Sequence, residues 1–186
     1  MKITTKTGDR GQTSLFGGRR VGKDHKFVEL VGELDELQSF VGWCRCAVEQ
    51  ESKNLLDRIQ DDLYRMMSIV GFEMKCPKNI EPLGENDVKF LEKAGEKYGA
   101  SVEDLRKFIR PGTIEMAARL HIARTVCRRV ERRFVAGNIG SADAASDTSI
   151  TAKIFIKYLN RLSDLLFVLA CACEDKSWRD PETSSG

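Results

Sequence analysis

Little in this chain suggests a metal centre. It has two histidines, His25 and His121, and none of its six cysteines falls in a C-x-x-C pair. Zinc sites favour other spacings than the C-x-C pairs at Cys44/Cys46 and Cys171/Cys173. Most of the cysteines lie in apolar helical runs, so buried reduced thiols are expected. No apolar run approaches the ~18 residues that span a bilayer, and no signal-like apolar stretch opens the chain. These features predict a protein without a membrane segment, working in the cytoplasm or, in a mature form, in mitochondria. Charge of one sign is also missing. Thirty basic residues meet 28 acidic ones, for a net charge of +2. A global field of the kind that drives nonspecific nucleic-acid binding is excluded, so any basic function is local. Strand signals are scarce, limited to KITTK at the start and to TSLF. There is no internal repeat.

Helical signals fill the space. At 186 residues the chain suits a single domain. Apolar residues recur at three- and four-residue steps from Phe27 to Val48, and again from Leu55 to Val70. CPKNIEPLG ends the second run with two prolines and a glycine. A shorter helix is predicted over Asp87–Tyr98, stopped by Gly99, and Ser101 with Asp104 forms a further helix start. Long helices follow over Ile114–Phe134 and Ile150–Glu174, the last roughly 37 Å at 1.5 Å per residue. The expected architecture is all-α, a bundle of four or five helices over residues 25–174. A glycine-rich segment (1–24) precedes it and a polar, disordered tail (175–186) follows.

Two features depart from an ordinary bundle. KTGDRGQTSLFGG (residues 6–18) combines glycines, hydroxyls and cations, the parts from which backbone anion nests are built. It is no Walker A loop, because no G-K-[ST] closes it, and no strand with G-x-G-x-x-G precedes it. The second feature lies in HIARTVCRRVERRF. Its apolar stripe is Leu120, Ala123, Cys127, Val130 and Phe134. Arg124, Arg128 and Glu131 form a row beside that stripe, at i, i+4 and i+7, bordering the core or a cleft. Arg129, Arg132 and Arg133 point more outward. A solvated, salt-bridged face explains such a row as well as a site does. Asp35, one turn after Val31, borders the stripe of the first helix, and Arg124 is its natural partner. In YLNRLSDLLFVLACAC, Asn160 interrupts an apolar helix and needs a polar partner. Facing the Arg/Glu row, that partner is better explained by a polar ligand.

Five segments in order, KTGDRGQTSLFGG, GELDELQSFVG, FIRPG, ARTVCRRVERR and YLNRLSDLLFVLA, resemble the PduO-type ATP:cob(I)alamin adenosyltransferases over most of residues 2–174. The resemblance implies a five-helix bundle, assembled as a homotrimer with active sites between subunits. There Co(I) of cob(I)alamin attacks the 5′ carbon of ATP and triphosphate leaves. It further implies that Thr5, Lys6, Thr7, Gly8, Thr13, Ser14 and Lys23 contact ATP. Arg128, Glu131 and Arg132 are then at the triphosphate, with Glu131 beside its Mg²⁺, and Asn160 is at the nucleotide. Asp35 and Arg124 form an intersubunit salt bridge near the corrin, and Phe108 lies under the corrin ring. The partners implied are ATP, cobalamin, a Co(II)-reducing flavoprotein and an adenosylcobalamin-dependent enzyme. Thr113, Gln38 and the loop at 136–149 depart from the family pattern. Two other functions fit parts of the chain. One is a trimeric ATP sensor without corrinoid chemistry, which would not need Phe108, Asp35 and Arg124. The other is a nucleic-acid binder using RRVERR, disfavoured by near-neutral charge and few interleaved aromatics.

Overall fold

The computed structural model describes residues 6–48, 50–100, 102, 111–112, 114–137, 139 and 147–178. Thr5, Phe108, Thr113, the helix start at Ser101/Asp104, most of the 136–149 loop and the polar tail beyond 178 lie outside the described residues.

Five helices carry the fold: α1 (Lys26–Arg45), α2 (Gln50–Gly71), α3 (Glu85–Gly99), α4 (Glu115–Ala136) and α5 (Asp147–Trp178). α1 packs on α2 and α4, α4 packs on α5, and α5 on α3. The apolar stripes meet in one core cluster, which takes Leu34, Leu37, Ile59, Leu63, Leu91, Val130, Phe134, Phe155 and Leu166 from all five helices. Phe134 and Phe155 meet edge to face at 5.9 Å between ring centroids. All six cysteines are free thiols, with Cys44, Cys127 and Cys171 buried and Cys46 and Cys76 exposed. Burial pushes the Cys44 thiol up to about 12, so it is no nucleophile at neutral pH.

The helix ends have local causes. α3 begins at Glu85, two residues before the expected Asp87, because the Asp87 carboxylate accepts the Gly84 N–H at 2.8 Å and closes the first turn. α2 stops at Gly71 because Glu73 and Met74 turn left-handed, with φ of 58° and 68°. Met74 N–H then reaches back to the Ile69 carbonyl at 2.9 Å, closing the helix before the prolines arrive.

One polar network lies inside the bundle. The Asp62 carboxylate, fully buried, accepts from Tyr158 Oη (3.0 Å), Arg58 Nε (3.2 Å) and Arg65 Nη1 (2.7 Å). Asp87 accepts from Arg58 and Arg65 as well, and Arg65 spends its other donors on the Glu81 and Pro82 carbonyls. The network joins α2, α3 and α5.

The N-terminal segment forms a hairpin. β1 (Gln12–Ser14) pairs antiparallel with β2 (Arg20–Gly22), with Thr13 opposite Val21. TSLF thus contributes to β1, while β2 escapes a sequence pattern because three residues are too few to show alternation. KITTK, apart from Lys6, lies outside the described residues. Leu15 and Val21 bury the inner face of the hairpin. Its tip docks on the end of α2. Phe16 N–H donates to the Gly71 carbonyl at 3.0 Å, and the Phe16 ring meets Phe72 edge-on at 5.8 Å. A Cβ on Gly71 would lie 2.5 Å from the Phe16 ring, so this approach requires glycine.

Candidate active site

The row on α4 is built as its spacing predicts. Core residues Leu120, Ala123, Cys127, Val130 and Phe134 face inward and fully bury. Arg124 and Glu131 are half-buried at the flank turned toward α5, and Arg128 is exposed. Across the seam, Asn160 Nδ2 donates to Glu131 Oε1 at 3.4 Å, so the amide and the carboxylate come together. Among the described residues no acid pairs with Arg124 or Arg128. The Arg124 guanidinium lies over the Phe167 ring, 5.9 Å from its centroid, and its Nε is buried without a hydrogen-bond partner. The nearby Asp164 is 3.9 Å from Arg161, whose Nε is held by Glu92 at 2.8 Å.

The other arginines of the same helix behave differently. Arg129 and Arg133, expected to point outward, instead close the α1–α4 seam. Arg129 binds Glu36, with Glu33 at 3.8 Å, and Arg133 Nε binds Glu33 at 3.1 Å, with Glu29 at 3.8 Å. The salt-bridged face is therefore real for this pair. It is on the α1 side of the helix, opposite the α5 side that carries Arg124 and Arg128. Arg132 is exposed. Asp35 is exposed on α1, and no ion pair joins it to Arg124 within one chain. The boundary position that makes Asp35 a natural partner places it near the seam, but Glu29, Glu33 and Glu36 occupy the part of the seam facing α4.

The hairpin residues form a second polar surface. Lys6 sits in the left-handed region, with φ of 57°, and the Thr7 carbonyl accepts from Arg20 at 2.9 Å. Lys23 arches over Gly8, where a Cβ would lie 3.4 Å from its Nζ. Thr13 is half-buried and Ser14 exposed. Arg19, by contrast, is spent on Glu73. No hydrogen bond or ion pair among the described residues joins this surface to the Arg124–Glu131 row.

His121 belongs to the site by position. It lies one turn before Arg124 and extends the α4 row by one place. Only 4% of it is exposed, yet neither ring nitrogen has a partner. Burial and the neighbouring Arg124 hold its imidazole below the ordinary value of 6.5. The i, i+3 relation to Arg124 was visible in the sequence, but a lone histidine tested against metal spacings gave no reason to place it in the row.

Chemically, the seam offers two guanidiniums that form no ion pair among the described residues, one carboxylate and one amide. Guanidiniums in this state suit phosphate oxygens. A single carboxylate beside them suits Mg²⁺, which keeps waters and substrate phosphates as its other ligands. No group of three or more His, Cys, Asp or Glu side chains capable of holding a metal unaided occurs among the described residues. Among the described residues no helix is long and apolar enough to cross a membrane.

Comparison with known proteins agrees with this chemistry. Residues 3–173 match the cobalamin adenosyltransferase family. The corrinoid adenosyltransferase PduO of Salmonella typhimurium is 40% identical over 174 residues, covering 92% of this chain and 49% of that protein. The chain thus spans about half the length of that relative. A corrinoid adenosyltransferase of Bacillus subtilis is 41% identical over 179 residues, covering 91% of this chain and 85% of the relative. The solved structure of a variant PduO-type ATP:corrinoid adenosyltransferase from Lactobacillus reuteri, complexed with cobalamin and ATP, is similar too. It superposes with a TM-score of 0.78 at 29% identity, over 95% of this chain and 96% of that one. By sequence and by fold, the chain belongs to the cobalamin adenosyltransferase family.

Proposed function

We propose that the protein transfers the 5′-deoxyadenosyl group of ATP to the cobalt of cob(I)alamin. The observation that carries this assignment is the pair Arg124 and Arg128, without an ion-paired acid among the described residues, beside the Glu131–Asn160 contact on the α4/α5 seam. In the reaction the Co(I) electron pair attacks the 5′ carbon. A cobalt–carbon bond forms, the bond from that carbon to the α-phosphate oxygen breaks, and triphosphate leaves with the electron pair. Cobalt is oxidised to Co(III) in the alkyl product. The nucleophile belongs to the substrate, which fits a chain whose buried thiols are inert. The protein's part is to align two substrates and stabilise a strongly anionic leaving group.

Arg128 meets the triphosphate, with Arg132 at its outer edge, and Asn160 holds the nucleotide. Glu131 is the residue that would hold Mg²⁺, which supplies positive charge to the departing phosphates. Lys6, Thr7, Gly8, Thr13, Ser14 and Lys23 line the hairpin surface that closes on ATP, and the family resemblance adds an ATP contact from Thr5. That surface does not touch the row within one chain, and Asp35 does not meet Arg124. Both separations are supplied by a homotrimer, in which the hairpin and Asp35 of one copy meet α4 of the next. Phe108 packs under the corrin and keeps its lower axial base away. A flavoprotein that reduces Co(II) and an adenosylcobalamin-dependent enzyme stand before and after this step.

The test is anaerobic turnover with MgATP and chemically reduced cob(I)alamin, following loss of the Co(I) absorbance. Arg128→Ala is expected to lower kcat/KM by ~10²–10³, as for removal of a charge-stabilising donor. ATP binding without any conversion by the unaltered protein would favour the ATP-sensor function instead.

A further inference from the structure

Along the α4/α5 seam the polar positions are arranged in a line. On α4 they are His121, Arg124, Arg128 and Glu131; Asn160 and Phe167 face them from α5. Glu131 and His121 are ten residues apart, or ~15 Å along the helix. The Glu131 end has its amide contact to Asn160. The His121 end has none: both imidazole nitrogens and the Arg124 Nε are buried without partners. Phe167 is the wall they share, 6.2 Å from the His121 ring centroid and 5.9 Å from the Arg124 guanidinium. Buried polar groups are nearly always satisfied, so three unspent positions in one place call for a ligand.

Their chemistry defines it. A neutral imidazole presents one N–H donor and one bare nitrogen acceptor. Arg124 beside it disfavours a second positive charge, and Glu174 on α5 is the acid whose charge opposes that effect. The bare nitrogen needs a hydrogen, which neither a phosphate nor a carboxylate oxygen can offer. An anion is therefore a poor match here, in contrast to the Arg128 end.

We propose that His121 and the Arg124 Nε–H form a subsite for a neutral donor–acceptor edge of one of the two substrates. This rests on the adenosyl-transfer function proposed above. Such an edge accepts from Arg124 or the imidazole N–H and donates to the bare imidazole nitrogen, while its apolar body lies on Phe167. The reaction offers two sources of this chemistry: a peripheral carboxamide of the corrin ring, and the amino–imine edge of adenine. His121 is on this basis a specificity-determining residue.

The experiment compares the full-length protein with His121→Leu and His121→Gln, measuring KM for each substrate, kcat, thermal midpoint and sedimentation. His121→Leu is expected to raise one KM by about tenfold or more, with the other KM and the assembly unchanged. His121→Gln restores that KM, because its amide still offers a donor and an acceptor. If the corrinoid KM moves, and the preference for cobalamin over cobalamin with one carboxamide hydrolysed disappears in His121→Leu, the carboxamide is the occupant. If the ATP KM moves, and discrimination against ATP dimethylated on its adenine amino group disappears, adenine is the occupant. Unmoved KM values would overturn the subsite, as would a loss confined to thermal midpoint or sedimentation that His121→Gln does not rescue. Absence of conversion by the unaltered protein would instead overturn the adenosyl-transfer function, and the subsite with it.

Discussion

At Asp62 and at Arg124 the bundle buries the same kinds of side chain to opposite ends. Around Asp62 every charge is answered: two arginines and Tyr158 converge on the carboxylate, Asp87 accepts from both arginines, and the other Arg65 donors go to the Glu81 and Pro82 carbonyls. Around Arg124 the hydrogen bonding is open. Among the described residues its Nε and both nitrogens of His121 lack hydrogen-bond partners, and no acid forms an ion pair with Arg128. The first cluster completes itself within one chain and ties α2, α3 and α5 together. The second leaves buried polar atoms without partners among the described residues. Closed networks of this kind stabilise, whereas open ones are candidates for binding.

The sharpest way to break the comparison is to open the closed cluster. Asp62→Ala would leave Arg58 and Arg65 to Asp87 alone among the carboxylates and leave Tyr158 Oη buried without its acceptor. A loss of ~3–5 kcal/mol is expected, read from urea unfolding. The matching change in the open cluster, Arg128→Ala, should leave the unfolding midpoint within about 0.5 kcal/mol of the unaltered protein, because no partner is stranded. Its cost falls on turnover instead. Equal loss of stability in the two variants would erase the distinction.

A pH titration of stability is a finer probe. The folded protein holds His121 below 6.5, through burial first and Arg124 second, so between the two values the unfolded chain binds more protons. The stability this contributes is fully present above about 6.5 and is lost as pH falls through the folded value. Between about pH 7 and about pH 5 the thermal midpoint of the unaltered protein should therefore fall more steeply than that of His121→Gln. Asp87 contributes its own acid loss. Burial raises its carboxyl, but the Gly84 N–H and the two arginines outweigh burial and hold it low. That loss lies lower in pH and is common to both proteins. Parallel slopes would mean that His121 is not held neutral. The smallest effect is expected on the α1 side of α4. Arg133→Ala removes half-exposed pairs with Glu33 and Glu29 and should cost ~0–1 kcal/mol with turnover intact.

Much of this was legible in the sequence, for reasons that differ by element. The helices were legible because their apolar steps are long and regular, and the start of α3 moved because a local bond at Asp87 intervened. α5 runs on from Glu174 to Trp178, beyond the last apolar step that marks it in sequence. In the candidate site, the Arg124–Arg128–Glu131 row follows from helical spacing alone, whereas the direct contact of Asn160 with Glu131, where the sequence pointed to a ligand, depends on how α4 and α5 pack. The division of the arginines did not. Spacing gives Arg129 and Arg133 an angle on the helix, but whether that angle meets water or a neighbour depends on where α1 lies. His121 escaped because its burial comes from Phe167 and the seam, not from the periodicity of α4. The tip of the hairpin was hidden for a similar reason, since its docking partner, Gly71, is more than fifty residues away.

The double use of one helix has a consequence for how substitutions in RRVERR would present. Neighbouring arginines that look interchangeable in a sequence belong to separate failure classes. A change at Arg129 or Arg133 loosens a seam, so its defect would track temperature and protein abundance and respond to anything that favours the folded chain. A change at Arg128, which no described partner holds, would leave a well-formed protein that accumulates normally and does not work. No folding aid would recover it.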